Sequence, residues 1–326
     1  MKAKKLPSSA SASVGRWLAS SGPVVGLLLV CALFAALRYE TFVTWDNAAI
    51  ILQQTAVIGI ASLGMTLVII SGGIDLSVGS IIAVGTVVIA LCLTAGMPPG
   101  IAAVCGIAAS ALCGAISGAL ITGLRLLPFV VTLGMMGALR GAAKGMAAEQ
   151  PIYPDETWLS AFMRLGGVGS LPLGVWLMLG LAVMVAILLR RTRFGRHVYA
   201  VGSNEMTARL CGVPVERVKF LVYVIGAAFA GVASVLQFGY LTGGDPTTAV
   251  GLELNIIAAV VIGGASLSGG QGGVLGTLVG AVIMSVVANG CTKLGLANWV
   301  QEIVTGIIIV AAVLLDSLRR RSDRQG

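Results

Sequence analysis

The sequence predicts an all-α, polytopic integral membrane protein with about ten transmembrane helices and with both termini in the cytoplasm. The first observation is composition: of 326 residues, 57% are hydrophobic and only 10% are charged, whereas soluble domains are about 25% charged. The second is the 45 glycines, which suit closely packed membrane helices. The third is a series of long apolar runs with basic residues concentrated on one side of them. Together these observations exclude a single water-soluble domain.

Ten apolar runs define the expected helices. A membrane-spanning helix needs roughly 20 predominantly apolar residues. The first run is short and follows a basic N-terminus, so a cleaved signal peptide is the alternative there. That alternative is disfavoured because the basic region is long and no A-x-A cleavage motif follows it. In chain order the runs are 23–37, 48–70, 78–95, 100–124, 126–143, 171–189, 220–241, 251–265, 274–289 and 298–315.

The charged residues orient these helices. Lys plus Arg number 21 against 13 Asp plus Glu, for a net charge of +8. With a cytoplasmic N-terminus, sixteen of the 21 basic residues fall on the cytoplasmic side, as the positive-inside rule requires. The basic excess therefore indicates membrane insertion. The sequence contains no basic helix with interleaved aromatic residues, so a nucleic-acid partner is disfavoured. The five basic residues assigned to the outside are Arg38, Arg140, Lys144, Arg164 and Lys293.

This orientation gives a simple domain organisation. Residues 1–22 form a cytoplasmic N-terminal segment, and residues 23–316 form one transmembrane domain. The longest cytoplasmic loop of that domain lies at 190–219, and residues 317–326 form a cytoplasmic tail.

Motifs for catalysis and cofactor binding are missing from the sequence. No Gly-Lys pair occurs, so there is no G-x-x-x-x-G-K-[ST] phosphate loop. His197 is the only histidine, and the six cysteines contain no C-x-x-C pair. We therefore expect a transporter component rather than an enzyme, with no catalytic residue, metal or cofactor of its own. Energy for uphill transport must then come from an ion gradient or from a separate subunit.

Neutral polar residues inside the apolar runs are the candidates for a translocation path. Amide and hydroxyl groups offer paired hydrogen-bond donors and acceptors, which suit a neutral polyol or sugar. Helix–helix hydrogen bonding is the alternative role for such residues. The neutral candidates are Gln53, Gln54, Thr55, Gln237, Asn255, Asn289 and Gln301. The path is predicted to contain Gln53, Gln54, Asp75, Asn255 and Asn289.

Two similar glycine-rich strings interrupt the apolar pattern, at 71–79 and at 263–270. Each follows a β-branched apolar run, and both are expected on the cytoplasmic side, which hints at the internal repeat common in transporters. Asp75 or Ser77 could simply cap the next helix. The functional interpretation of the first string is a re-entrant or hinge element beside the path.

Pairs of glycines four residues apart predict close helix packing within the bundle or between subunits. The pairs are Gly114 with Gly118, Gly137 with Gly141, and Gly276 with Gly280.

The loop at 190–219 contains a predicted short helix. Asn204 or Ser203 can cap a helix that runs through Leu210, and Gly212 supplies the stop. Met206 and Leu210 fall on one face of it. An ordinary basic loop does not need a capped, amphipathic helix, so we favour a docking element for a cytoplasmic partner.

The chain resembles the permease subunit of bacterial ABC sugar importers, of the ribose, xylose and galactofuranose group. The matching stretches are GMTLVIISGGIDLSVGS at 64–80, LPFVVTLGMMGALRG at 127–141, RTRFGRHVYAVGSNEMTARLCGV at 191–213 and GLELNIIAAVVIGGASLSGGQGGVLGTLVGAVIM at 251–284. The resemblance implies a multi-pass protein of the bacterial inner membrane. It also implies a second permease subunit, preferably identical, together with a cytoplasmic ATPase that uses the ATP and a periplasmic sugar-binding protein.

The resemblance further implies that 202–213 corresponds to the coupling helix that sits in a groove on the ATPase. The residues carried over to this role are Gly202, Ser203, Asn204, Glu205, Ala208, Arg209, Gly212 and Val213.

The expected function is therefore import of a monosaccharide, a pentose or a hexose, by alternating access driven from outside the chain. An ion-coupled secondary transporter or channel is one alternative, disfavoured by the scarcity of charges at helix centres. An ABC permease for branched-chain amino acids is the other. It would need charged partners for a zwitterion, which are scarce in these helices.

Overall fold

The computed structural model describes residues 9–163 and 171–325, with side chains for 22–160, 162–163 and 171–314. These residues form α-helices and one 3-10 helix, Trp158–Met163, and their only bridge of β type joins Ile152 and Gly244. The helices are α1 Ser9–Leu37, α2 Tyr39–Phe42, α3 Trp45–Ile70, α4 Val78–Thr94, α5 Pro99–Gly123, α6 Pro128–Met146, α7 Leu173–Arg191, α8 Arg193–Ser203, α9 Glu205–Leu210, α10 Val215–Leu241, α11 Leu252–Ile262, α12 Val274–Lys293 and α13 Asn298–Gln325.

The predicted all-α membrane architecture is confirmed at this level. Each of the ten apolar runs contains a helix, namely α1, α3 to α7 and α10 to α13. Within the described residues, α3, α5, α7, α10 and α12 are long and apolar enough to cross a membrane. Shorter apolar helices lie at Gly22–Leu37, Val78–Thr94, Leu252–Ile262 and Asn298–Leu314. The count of ten crossings and the side of each terminus stay predictions, and residues 1–8 and Arg164 lie outside the described residues.

Helix α3 forms the centre of the bundle. Every residue from Thr55 to Ile70 is buried, and α7, α10, α11 and α12 pack around it. Helices α5 and α10 make the most extensive pairing, and a Cβ on Gly114 would lie 2.4 Å from the Cβ of Ala227. Gly276 and Gly280 likewise press on α11, whereas no described atom lies within 4 Å of a Cβ placed on Gly137 or Gly141.

Helix α11 is a half-length helix, which differs from the full span expected at 251–265. Its 11 residues extend about 16 Å, roughly half of a 30 Å hydrocarbon core. The irregular segment at 242–251 replaces the missing half. This segment packs alongside α4. Gly244 contacts Thr86 and Ala90, and the Ala249 carbonyl oxygen lies 2.5 Å from a Cβ placed on Gly79.

The loop expected at 190–219 contains two helices rather than one. Thr192 caps α8 by accepting a hydrogen bond from the Gly195 amide (3.1 Å), and Val198 and Val201 bury the apolar face of α8. Apolar and basic residues alternate with helical spacing there, so the signal for α8 was present in the sequence.

Candidate functional site

A polar cavity of about 250 Å³ lies between α3, α10, α11 and α12. Its polar groups come from amides and one phenol, and the lining residues that the structure describes carry no formal charge. They are Gln53, Gln54, Val57, Ile58, Met163, Gln237, Tyr240, Ala249, Val250, Leu252, Asn255 and Ala288. An apolar wall with a few convergent neutral polar groups is the usual design of a small-molecule site.

The amides of this polar cavity differ in how they are held. Gln53 donates from Nε2 to the Met163 carbonyl oxygen, and Gln237 donates from Nε2 to the Thr248 hydroxyl (2.9 Å). The Gln54 Oε1 atom is buried and accepts no hydrogen bond from the described residues. A buried acceptor without a partner is costly, so Gln54 keeps an unsatisfied carbonyl oxygen in the wall of the cavity.

A second cavity of about 480 Å³ adjoins the polar cavity and shares Val250, Asn255 and Ala288 with it. Glu253, from the first turn of α11, and Glu302, from α13, also line this second cavity. The two cavities therefore meet at the N-terminal end of the half-length helix α11.

The structure brings three of the predicted path residues together, since Gln53, Gln54 and Asn255 all line the polar cavity. Asn289 is 4% exposed and is not among the residues that line either cavity. Sequence reasoning left Tyr240 out of the path. Its signal was its spacing, because it lies three residues after Gln237 and therefore on the same face of α10.

Asp75 also lies away from both cavities, in the turn before α4. Its side chain is buried, and Oδ1 accepts hydrogen bonds from the Ser77 amide (2.8 Å) and the Ser77 hydroxyl (2.5 Å). Asp75 therefore stabilises the turn before α4. The alternative offered from the sequence was a helix cap, but Ser77, at the N-cap position of α4, makes no side-chain capping hydrogen bond.

Helix α9 matches the short helix predicted in the 190–219 loop. Asn204 Oδ1 accepts from the Thr207 amide (2.9 Å), and Gly212 ends the helix with a φ of +80°. Gly202 and Ser203 belong to the last turn of α8, immediately before α9. The exposed apolar residues Met206 (68% exposed) and Leu210 (82%) give α9 a face that no described residue covers.

An ion-pair network ties α9 to the start of α10. Arg209 pairs with Glu205 (3.3 Å) and with Glu216 (2.5 Å), and Lys219 pairs with Glu205 (2.5 Å). Hydrogen bonding to Glu216 raises the pKa of Arg209. Exposed pairs of this kind add little to stability, so the network fixes the orientation of α9 more than it stabilises the fold.

Both glycine-rich turns contact the end of α8. A Cβ on Gly202 would lie 1.7 Å from the Ile70 carbonyl oxygen. The same oxygen accepts a hydrogen bond from the Gly270 amide (2.8 Å), and a Cβ on Gly269 would lie 2.6 Å from the Gly202 carbonyl oxygen. These turns follow α3 and α11, which both line the polar cavity, so backbone contacts connect the α8–α9 region to the cavity walls.

Comparison with known proteins identifies the family. The sequence model of the family described as the permease component of the branched-chain amino acid transport system matches residues 47–313. The chain belongs to this permease family. Its similarity to curated proteins extends over nearly its whole length, so the resemblance stated from the sequence motifs is confirmed.

The similar curated proteins are import permeases. The ribose import permease protein RbsC of Escherichia coli K12 is 36% identical over 93% of this chain and 95% of its own length. RbsC of Bacillus subtilis is 37% identical over 90% and 92%, and the fructose import permease protein FrcC of Rhizobium meliloti is 33% identical over 92% and 85%.

One solved structure shows the same fold. An ABC transporter in an inward-facing conformation, described as of metal-chelate type, matches 91% of this chain and 98% of its own with a TM-score of 0.51 and 17% identity. At that identity the likeness concerns the helical fold alone.

Proposed function

We propose that this chain is the permease subunit of an ATP-driven importer that moves a monosaccharide into the cytoplasm. The observation that carries the proposal is the polar cavity, whose amides and phenol match the hydroxyl groups of an uncharged sugar. The import permeases for ribose and fructose that resemble the chain along its length support the same substrate class. Gln53, Gln54 and Asn255 are the path residues favoured by this geometry. Asp75 and Asn289 stay predictions from the sequence.

The proposed topology has ten crossings in the bacterial inner membrane, with both termini in the cytoplasm. Helix α10 supports the orientation, because it begins beside α9 and ends at the polar cavity, about 38 Å further on. The basic loop then lies inside, as the positive-inside rule demands, and the polar cavity lies toward the outside.

Three partners follow from this proposal. A cytoplasmic ATPase binds the exposed face of α9 and supplies the energy, and a periplasmic binding protein delivers the sugar and provides the affinity. A second permease subunit, an identical copy in the simplest case, completes the path. The face of α6 around Gly137 and Gly141 supports close contact with another subunit, because small residues there leave room for a neighbouring helix.

The mechanism is alternating access. ATP-driven closure of the ATPases moves α9, and the backbone contacts at Gly202 transmit the movement to the turns after α3 and α11. Because Gln54 and Asn255 lie on those two helices, the cavity walls shift with them. The chain need not bind sugar tightly, since affinity resides in the binding protein.

The test is transport by the reconstituted complex of permease, ATPase and binding protein in proteoliposomes, with radiolabelled D-ribose, D-fructose and L-leucine. We expect uptake of a monosaccharide that requires ATP and resists a protonophore. Uptake that continues without ATP and collapses with the protonophore would indicate an ion-coupled carrier instead.

Import of branched-chain amino acids is the second candidate, because the matching family is described by that activity. A zwitterion needs charged partners, whereas the described lining of the polar cavity has none. ATP-dependent uptake of L-leucine without uptake of either sugar would favour this candidate.

A further inference from the structure

Arg140 is a charged residue within α6, although the ten-helix topology assigned it to the outer side. It lies 12 residues after Pro128, the first residue of α6, which corresponds to about 18 Å along the helix axis. Its side chain is half-buried. The helix ends at Met146, six residues or about 9 Å beyond Arg140. An ionisable residue inside a membrane helix usually faces a functional part of the bundle.

The partners of Arg140 are backbone carbonyl groups of the irregular 242–251 segment. Its Nη1 atom donates to the carbonyl oxygens of Pro246 (2.9 Å) and Thr248 (2.6 Å). Glu253 and Asp245 attract the guanidinium electrostatically. Non-helical backbone within a membrane must find hydrogen-bond partners inside the protein. Arg140 is such a partner for the carbonyl groups of Pro246 and Thr248, which lie outside any helix.

The 242–251 segment forms part of the wall of the polar cavity. Ala249 and Val250 line the cavity, and Thr248 accepts the hydrogen bond of the lining residue Gln237. The outer end of the segment is fixed by the bridge between Ile152 and Gly244 (2.8 Å in both directions). Arg140 therefore holds the part of the segment that lies between this bridge and the cavity.

We propose that Arg140 is a positioning residue of the translocation path. It holds the 242–251 segment in the conformation that forms the cavity wall at Ala249 and Val250, and it thereby couples sugar passage to the ATP-driven cycle. Arg140 is not among the residues that line either cavity, so it acts through the segment rather than by binding sugar. This role rests on the proposed function of the chain as a sugar permease.

The first experiment compares Arg140→Gln and Arg140→Lys with the wild-type complex in proteoliposomes. Lys144 lies one turn further along α6 and is exposed, so Lys144→Gln is the matched control for loss of a positive charge. Removal of two charge-assisted hydrogen bonds predicts about a tenfold loss or more in maximal uptake rate for Arg140→Gln. We expect an unchanged apparent KM, because the binding protein sets it, and more ATP hydrolysed per sugar. Lys144→Gln should transport normally, and Arg140→Lys should recover part of the rate.

The second experiment needs no sugar. Val250→Cys is labelled with a polar thiol reagent, and modification at residue 250 is measured by peptide mass spectrometry in the Arg140 and Arg140→Gln backgrounds. Val250 is 72% exposed, so release of the segment changes its surroundings rather than uncovering it. We expect the labelling rate to change about tenfold when the two hydrogen bonds are lost. Equal labelling in both backgrounds would overturn the proposal, even if Arg140→Gln lowered uptake through poor folding.

The two proposals fail in different ways. If the wild-type complex moves no monosaccharide, the proposed function fails, while labelling at residue 250 still tests Arg140. If the wild type transports and Arg140→Gln matches it in rate and in ATP per sugar, the role of Arg140 alone is overturned.

Discussion

The polar cavity and the α9 surface are built in opposite ways. The cavity assembles residues as distant in sequence as Gln53 and Ala288, and it presents neutral groups. The α9 surface comes from one continuous stretch of chain, and it presents ion pairs and exposed apolar side chains. A weakly binding path for an uncharged molecule suits the first design, and a docking surface for a protein partner suits the second.

The difference separates the region where energy would enter, α9, from the region where it would be used, the polar cavity. Nothing in the described lining of the polar cavity carries the charge that an ion-coupled carrier needs. The charged network is concentrated at α9, and the backbone contacts around Gly202 join it to the cavity walls. The connection between the two regions should therefore be the most sensitive point of the molecule.

Gly202→Ala should have the largest effect. The new methyl group would lie 1.7 Å from the Ile70 carbonyl oxygen, and relief of such overpacking costs about 1–3 kcal/mol or more. We expect uptake to fall to background and the melting temperature of the complex to drop. Gly273→Ala is the control, because no described atom lies within 4 Å of that Cβ. Normal uptake by Gly202→Ala would contradict a tight connection at this point.

Simultaneous replacement of Glu205 and Arg209 by Ala should have the next largest effect. It removes the network that orients α9, and we expect about a tenfold fall in uptake and weaker copurification of the ATPase. Melting of the isolated permease should change little, because exposed ion pairs contribute little stability. Arg196→Ala, an exposed change on α8, should be silent. Wild-type copurification by the double variant would remove the docking role of α9.

Substitutions in the polar cavity should have smaller effects. Gln54→Leu and Asn255→Leu each remove one neutral hydrogen-bonding group, which is worth roughly a two- to tenfold change in maximal uptake rate. Asn289→Leu is the comparison, since Asn289 does not line the cavity. A larger loss of uptake from Asn289→Leu than from Gln54→Leu, at equal stability, would move the path away from this cavity.

Asp75 should matter for local stability rather than for transport. Asp75→Asn keeps an oxygen that can accept from the Ser77 amide and hydroxyl, and we expect uptake close to that of the wild type. Asp75→Leu loses this acceptor at a cost of about 1 kcal/mol, visible as a lower melting temperature. If Asp75→Asn abolished uptake at unchanged stability, Asp75 would belong to the path.

The contrast between the two regions also explains what the sequence could predict. Helix α9 was predictable because its cap, Asn204, and its stop, Gly212, are local signals. The half-length of α11 was not predicted, because its apolar run at 251–265 was counted as a full span. The break between the runs at 242–250 was visible in the sequence, but the packing of that segment along α4 depends on tertiary contacts. Arg140 was assigned to the outer side from its place in the ten-helix topology, and its hydrogen bonds to Pro246 and Thr248 depend on tertiary contacts. Tyr240 had a local signal in its spacing from Gln237, which places the two on one face of α10.

In the proposed mechanism, ATP-driven movement of α9 changes access to the polar cavity. We would measure the labelling rate of Val250→Cys by a polar thiol reagent in the reconstituted complex, in the absence of nucleotide and after ATP hydrolysis in the presence of vanadate, which traps ADP and vanadate on the ATPase. We expect a change of about tenfold between the two states, and we expect this change to disappear when Glu205 and Arg209 are replaced by Ala. A labelling rate that is the same in both nucleotide states would contradict this mechanism.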